Sequence, residues 1–362
     1  MEVSIIGSGL VGRVMALTLL NNYPAVKINL FDQAENLYDK SSCGYMAAGM
    51  VSPYCELADV GEIELYRQGL KSLSLWSALL GQLVTENNIF KQNGTIVLSH
   101  MNDASDYNYF NQKLNSILLG VYDGGYQVHK NILSDIETNF CYNAFHSNIL
   151  KFTEEGCVNV PMFYSETSRF LHEHTAVNYY QRTFEYLSED ELKQDDLLSS
   201  DWIIDSRGLG AKKSFLGLRG VRGEAIIVSA PEVNLSHTIR LIHPKYPLYI
   251  VPRGNNIYYI GATTIESEDD TPISLKSTME LLSALYVVHP GFSEARILKT
   301  IAHSRPTLST GYPEVRCKDK LIQINGLNRH GYLLSPAICH EVFLKIKNSK
   351  NKVIGEQNEC FI

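Results

Sequence analysis

The chain has 362 residues and a mass of 40.7 kDa, enough for two domains or one elaborate one. Its 44% hydrophobic and 20% charged residues are ordinary globular usage, which excludes a disordered, collagenous or coiled-coil chain. Lys plus Arg number 32 against 39 Asp plus Glu; a net charge of −7 and a pI near 5.9, with no long basic run, argue against nucleic acid as the main partner.

Residues 3–6 read as a short strand, followed by Gly7-Ser8-Gly9-Leu10-Val11-Gly12 and a helical stretch over 13–21. A second strand over 26–31 ends at Asp32, completing a βαβ unit with a right-handed crossover. A glycine-rich turn alone would be a plain strand-to-helix connection. Here it follows a strand, opens a helix and precedes an acid 20 residues beyond Gly12, as a dinucleotide site requires. Gly7 permits the tight turn, Gly9 lets backbone approach a pyrophosphate, and Gly12 lets helix and strand pack closely. The helix N-terminus supplies unpaired N–H groups for the anion. Asp32 would accept ribose hydroxyls and repel a 2′-phosphate, which disfavours NADP.

Residues 41–50, Ser-Ser-Cys-Gly-Tyr-Met-Ala-Ala-Gly-Met, are mostly small; backbone there would lie against a bulky ring or phosphate, or form a flexible loop. Leu65, Leu70, Leu73 and Leu75 precede Trp76 in a helix or helix pair over 60–85. Residues 102–150 are rich in Tyr and Asn and carry no clear pattern; a lid or partner surface is the expectation. A helix is predicted over 165–174 and a buried strand over 202–204, ending at Asp205. Strands follow at 225–228, 248–251 and 257–261, the last two joined by a hairpin at Asn255-Asn256. Helices over 274–288 and 336–347 flank a strand at 321–324. The pattern is α/β at both ends with a β-rich middle, a sheet domain interrupted by an antiparallel one.

None of the seven cysteines, Cys43, Cys55, Cys141, Cys157, Cys317, Cys339 and Cys360, forms a CxxC pair, so reduced thiols are expected, with no disulfide framework or zinc site. No apolar run reaches the ~20 residues of a membrane span, and a strand starting at Glu2 leaves no room for a signal peptide; a cytoplasmic protein is expected.

Several blocks, in order, resemble the D-amino acid oxidase family of FAD-dependent flavoenzymes, and within it the glycine oxidase group. They are residues 5–12, the small-residue loop 47–53, the strand and Gly-containing turn 202–211, Val221-Arg222-Gly223-Glu224, the hairpin 249–264, Ser304-Arg305-Pro306-Thr307 and residues 326–337. The resemblance implies FAD as cofactor, with Asp32 on the adenosine ribose. It implies an α/β (α+β overall) architecture: a Rossmann-like FAD-binding domain from 1–55, 150–217 and 300–350, interleaved with an antiparallel-sheet substrate domain from 56–149 and 218–299. Cofactor contacts are expected from Gly7, Gly9, Leu10, Val11, Gly12, Asp32, Ser42, Ala48, Gly49, Met50, Gly208, Gly210, Asn328, His330, Gly331, Tyr332 and Leu333. Backbone N–H groups of 325–331 would reach the flavin pyrimidine edge.

The implied reaction is oxidation of a small amine or amino acid to an imine, with hydride passing to flavin and electrons to molecular oxygen or an electron carrier. Such chemistry needs positioning more than acid–base machinery. By its place in the family motif, Arg329 is the expected carboxylate clamp, the alternative being a surface Arg in a Gly-bounded turn. Arg305 shapes the pocket or serves as a structural ion-pair partner. Tyr249 presents its hydroxyl to the substrate or is a buried strand residue. His303 lies near the Arg305 block, and Cys43 reads as a small buried thiol. Leu327 and Thr310-Gly311 stand where the glycine oxidase pattern has His and Asp-Gly, which leaves the substrate open. A flavin dehydrogenase, an enzyme for a macromolecular amine and a non-catalytic flavoprotein are the alternatives. Self-association into a homo-oligomer also stays open.

Overall fold

The computed structural model describes residues 1–83, 89–119, 149–187, 198–243 and 248–349; Cys141, Cys360 and positions 120–148 of the patternless segment lie outside them. In chain order the elements are β1 (Glu2–Ile6), α1 (Leu10–Asn22), β2 (Lys27–Asp32), β3 (Met50–Val51), α2 (Pro53–Val60), α3 (Ile63–Leu80), β4 (Phe90–Lys91), β5 (Thr95–Ser99), α4 (Ala104–Leu119), β6 (Ile149–Phe152), β7 (Gly156–Val158) and α5 (Val160–Glu173). Then come β8 (Val177–Gln181), β9 (Trp202–Asp205), β10 (Arg219–Ser229), β11 (Thr238–Ile242), β12 (Leu248–Gly254), β13 (Ile257–Gly261), α6 (Leu275–Val288), β14 (Arg296–Thr307), β15 (Glu314–Lys318), β16 (Leu321–Asn325) and α7 (Gly331–Ser349).

Six strands form a sheet in the order β15-β16-β9-β1-β2-β8. β1 pairs in parallel with β2 on one side and β9 on the other, and only the edge strand β15 runs antiparallel. Helices cover the central strands, so Val3, Ile5, Ile28, Leu30, Ile203 and Ile204 are buried as near-continuous apolar runs. Consecutive strands leave β1 in opposite directions. That switch point opens a crevice beyond the carboxyl ends of β1 and β9.

A second sheet of seven strands, β14-β10-β13-β12-β11-β5-β6, is antiparallel except for the β5–β11 pair. Its β12–β13 hairpin turns at Asn255 and Asn256, both with positive φ (51° and 56°), as the dipeptide predicts. The three short strands β3, β7 and β4 form a third sheet.

Three features differ from the sequence reading. Helix α3 packs on α1 and α7, beside the first sheet, although it falls in the segment expected on the substrate side. Helix α4 occupies part of the patternless stretch. Helix α7 begins at Gly331 and runs through Pro336, where the helix was expected to start. Pro336 has no N–H for the carbonyl of Tyr332. The fully buried indole of Trp76 supplies the missing donor, Nε1 to Tyr332 O at 2.9 Å, so α3 both permits and anchors the entry of α7.

Candidate active site

A cavity of about 950 Å³ lies over the switch point and continues beneath the second sheet. Nineteen of the twenty expected residues line it: Gly7, Gly9, Leu10, Val11, Asp32, Ser42, Ala48, Gly49, Met50, Gly208, Gly210, Asn328, His330, Gly331, Tyr332 and Leu333 with Tyr249, Arg305 and Arg329. Gly12 is the exception. A Cβ there would stand 1.9 Å from Gly7 O, so its role is the packing of α1 on the turn.

The first part of the cavity fits a dinucleotide. Gly7 has φ +104° and lies against Ser206, bringing the β1 and β9 turns together. A Cβ on Gly9 would meet nothing nearer than Ser42 Cβ at 3.9 Å, so that glycine leaves open space. Helix α1 has no side-chain cap and no acid in its first turn, leaving its N–H groups free for an anion. Asp32 accepts from the N–H groups of Ser8 and Ala34, one at each oxygen, and keeps lone pairs for hydroxyl donors. Behind the turn, the buried Arg13 guanidinium donates to Ser8 O (2.8 Å), Thr167 Oγ1 (2.9 Å) and Ser168 Oγ (3.0 Å), tying α1 to α5. These residues would hold the FAD, with its adenosine end at Asp32 and its pyrophosphate at the α1 N-terminus.

The far part is built by β10, β12–β14, α2 and the loop before α7. Arg305, on β14, is half-buried, and both Nη atoms donate to Thr263 O (3.1 and 3.2 Å). No carboxylate among the described residues pairs with it. Burial pulls its pKa down, opposed by Tyr259 and Cys43. Arg329 is placed differently: Nη2 bonds Glu56 Oε2 (2.8 Å) and Asp59 Oδ2 (2.9 Å), two carboxylates of α2. The expected clamp is thus already engaged. His330 Nε2 also meets Glu56 Oε2, at 2.9 Å. Asp59 Oδ1 accepts from Arg240, whose guanidinium also lies 5.6 Å from the Tyr249 ring centroid. Burial alone would raise the Glu56 pKa, but Arg329, His330 and Arg240 hold it well below the carboxylate range. Tyr249 is buried, its hydroxyl has no hydrogen-bond partner among the described residues, and burial pushes its pKa well up.

His303, also in the wall, places Nδ1 3.0 Å from Ser304 O and Nε2 2.9 Å from Ser41 O. Both neighbours are acceptors, so both nitrogens act as donors. A Cys43 hydrogen bond and these carbonyls outweigh burial and push its pKa up to about 9. Behind α2, the wholly buried Glu155 accepts from Cys55 N (2.9 Å) and Cys55 Sγ (3.4 Å), at the start of that helix.

Sequence reading missed Glu56, Asp59, Thr263 and Glu155. The first two had a signal. Pro53 opens an eight-residue helix that Gly61, at φ 86°, closes, and acids at i and i+3 share one face of it. Among the described residues, no cluster of His, Cys, Asp or Glu is placed to hold a metal, and no helix is long and apolar enough to cross a membrane.

The thiamine biosynthesis oxidoreductase ThiO assigned in Rhizobium etli is 47% identical over 142 residues, covering 39% of this chain and 43% of that protein. The matched stretch is therefore less than half the length of that relative. The crystal structure of glycine oxidase from Geobacillus kaustophilus superposes with a TM-score of 0.76 at 21% identity, covering 96% of this chain and 94% of that one. Iminodiacetate oxidase from Chelativorans sp. BNC1 gives a TM-score of 0.74 at 17% identity, covering 96% and 95%. These two likenesses establish the shared fold. Residues 2–343 match the DAO family, described as FAD dependent oxidoreductase, and the chain belongs to that family of FAD-dependent oxidoreductases.

Proposed function

We propose that the protein oxidises the C–N bond of a small amino acid, glycine or a close analogue, to the imine, with molecular oxygen reduced to hydrogen peroxide. The observation that carries this reading is Arg305, a guanidinium in the cavity wall with no carboxylate partner among the described residues. A cation so placed is stabilised by an anionic ligand, and the planar guanidinium matches a carboxylate through two parallel hydrogen bonds. The name of one structural relative fits, since glycine carries a carboxylate beside a C–N bond.

FAD held in this cavity would supply two-electron acceptor chemistry, the overall change being amine and O₂ to imine and H₂O₂. The protein's part is positioning. Arg305, pinned by Thr263 O, fixes the carboxylate and with it the Cα–H bond. Arg329, held by Glu56 and Asp59, is a positioning residue for the α2 face of the cavity, and the Tyr249 hydroxyl is the nearby uncommitted donor.

The test is anaerobic addition of glycine, sarcosine and D-amino acids to the FAD-loaded protein. One of them is expected to bleach the oxidised flavin bands, and air to restore them with formation of peroxide. Arg305→Ala should lower kcat/KM by about 10- to 100-fold, the worth of charge-assisted hydrogen bonds of roughly 1.5–3 kcal/mol. If no small amino acid bleaches the flavin, the reading is wrong. Bleaching without reoxidation in air would make the protein a dehydrogenase serving an electron carrier.

A further inference from the structure

The two acids that hold Arg329 are not equivalent. Asp59 has both oxygens engaged, Oδ1 by Arg240 and Oδ2 by Arg329. Glu56 receives Arg329 and His330 on the same oxygen, Oε2, while Oε1 accepts no hydrogen bond among the described residues. Glu56 lines the cavity and Asp59 does not. The cavity wall therefore presents one guanidinium without an anion, at Arg305, and one carboxylate oxygen without a donor, at Glu56. The charge of Arg329 bears on both residues.

We propose that Glu56 selects the charge of the substrate's amine side: its free Oε1 receives the ammonium of an amino acid whose carboxylate rests on Arg305, and it rejects molecules bringing a second carboxylate there. The inference rests on the amino acid oxidase reading and adds to it a substrate class, small amino acids with one carboxylate. A carboxylate partly withdrawn from water interacts with nearby charges far more strongly than it would in bulk solvent. Like charges brought together in such a setting strongly suppress the wrong ligand. Arg329 and His330 keep Glu56 ionised, so the rejection holds across the neutral pH range. Nη2 of Arg329 is already shared by Glu56 and Asp59.

The experiment compares two ligands of nearly equal shape, iminodiacetate and its monoamide, which differ by one negative charge. Binding to the FAD-loaded protein is read from the perturbed flavin spectrum, and turnover of glycine is measured beside it. The wild type is expected to bind the monoamide at least tenfold more tightly than iminodiacetate. In the isosteric Glu56→Gln variant that ratio should fall to within about threefold, while kcat/KM for glycine drops. A wild type that binds both equally, or a Gln variant that keeps the full ratio, overturns the proposal. The wild-type comparison needs no variant, so a poorly folding Glu56→Gln protein does not shield the idea. Failure of the oxidase reading looks different: glycine itself then fails to bleach the flavin, whereas failure of the Glu56 assignment leaves glycine turnover intact with an indifferent charge ratio.

Discussion

Arg305 lies directly over Gly223: a Cβ built on residue 223 would sit 2.1 Å from Arg305 Nη2 and 2.4 Å from its Cζ. The obstructed atoms are the tip of a flexible side chain, not backbone. Gly223→Ala should therefore fold, keep its flavin and push the guanidinium out of place. Amino acid kcat/KM is expected to fall about 10- to 100-fold with flavin content unchanged, as for loss of charge-assisted contacts. Full activity in this variant would show that the guanidinium position does not govern turnover.

The glycines of the first turn divide into two kinds. At Gly9 a methyl group has room among protein atoms, whereas at Gly12 it collides with backbone at 1.9 Å. Gly9→Ala is expected to yield a folded apoprotein with weakened FAD binding, seen as a near-normal melting temperature and a colourless preparation. Gly12→Ala should lose about 1–3 kcal/mol or more of stability, the cost of overpacking. Denaturant unfolding of the two apoproteins separates these outcomes, and equal stability would refute the division.

Trp76→Phe keeps a benzene ring but removes the pyrrole half of the buried indole, and with it the N–H that Tyr332 O receives. The carbonyl is then left without its donor inside the structure. A loss of about 1–3 kcal/mol is expected on urea unfolding. Tyr332 and Leu333 line the cavity, so weaker flavin retention should accompany that loss. Unchanged stability would mean that the carbonyl finds another donor.

Glu155 makes stability depend on pH. Burial raises its pKa from 4.5 to about 6, against hydrogen bonds from Thr95, Cys55 and Ser52. A raised carboxyl pKa favours the folded state while the group is protonated. The contribution is full below about 4.5 and is lost as pH rises through 6. It amounts to about 2 kcal/mol for a shift of this size. Thermal melts between pH 4.5 and 7.5 should therefore show Glu155→Gln gaining on the wild type as pH increases. Parallel curves would exclude this carboxyl as the source.

Legibility in the sequence followed the range of the interactions involved. The β1–α1–β2 unit, Asp32 and the Asn255-Asn256 hairpin depend on neighbours in the chain, and their residues announce them. The state of Arg329 does not, because its partner Glu56 lies 273 positions away. A local motif marks Arg329 and Arg305 alike as cations beside glycine or proline, yet only the fold shows that one is paired and the other is not. The start of α7 was hidden for the same reason: Pro336 reads as a helix boundary until Trp76, from another helix, supplies the absent donor.

The cavity draws its walls from segments as far apart as Gly7 and Leu333, and the strand and helix that close it, β16 and α7, are the last described elements. During synthesis the glycine turn over residues 7–12 leaves the ribosome long before the loop that completes the pocket. A nascent chain halted before residue 331 would carry the dinucleotide fingerprint and no finished receptacle. Flavin loading is then a late event of biogenesis. Splitting the chain between β14 and β15 should give two colourless fragments that turn yellow only on being mixed with FAD.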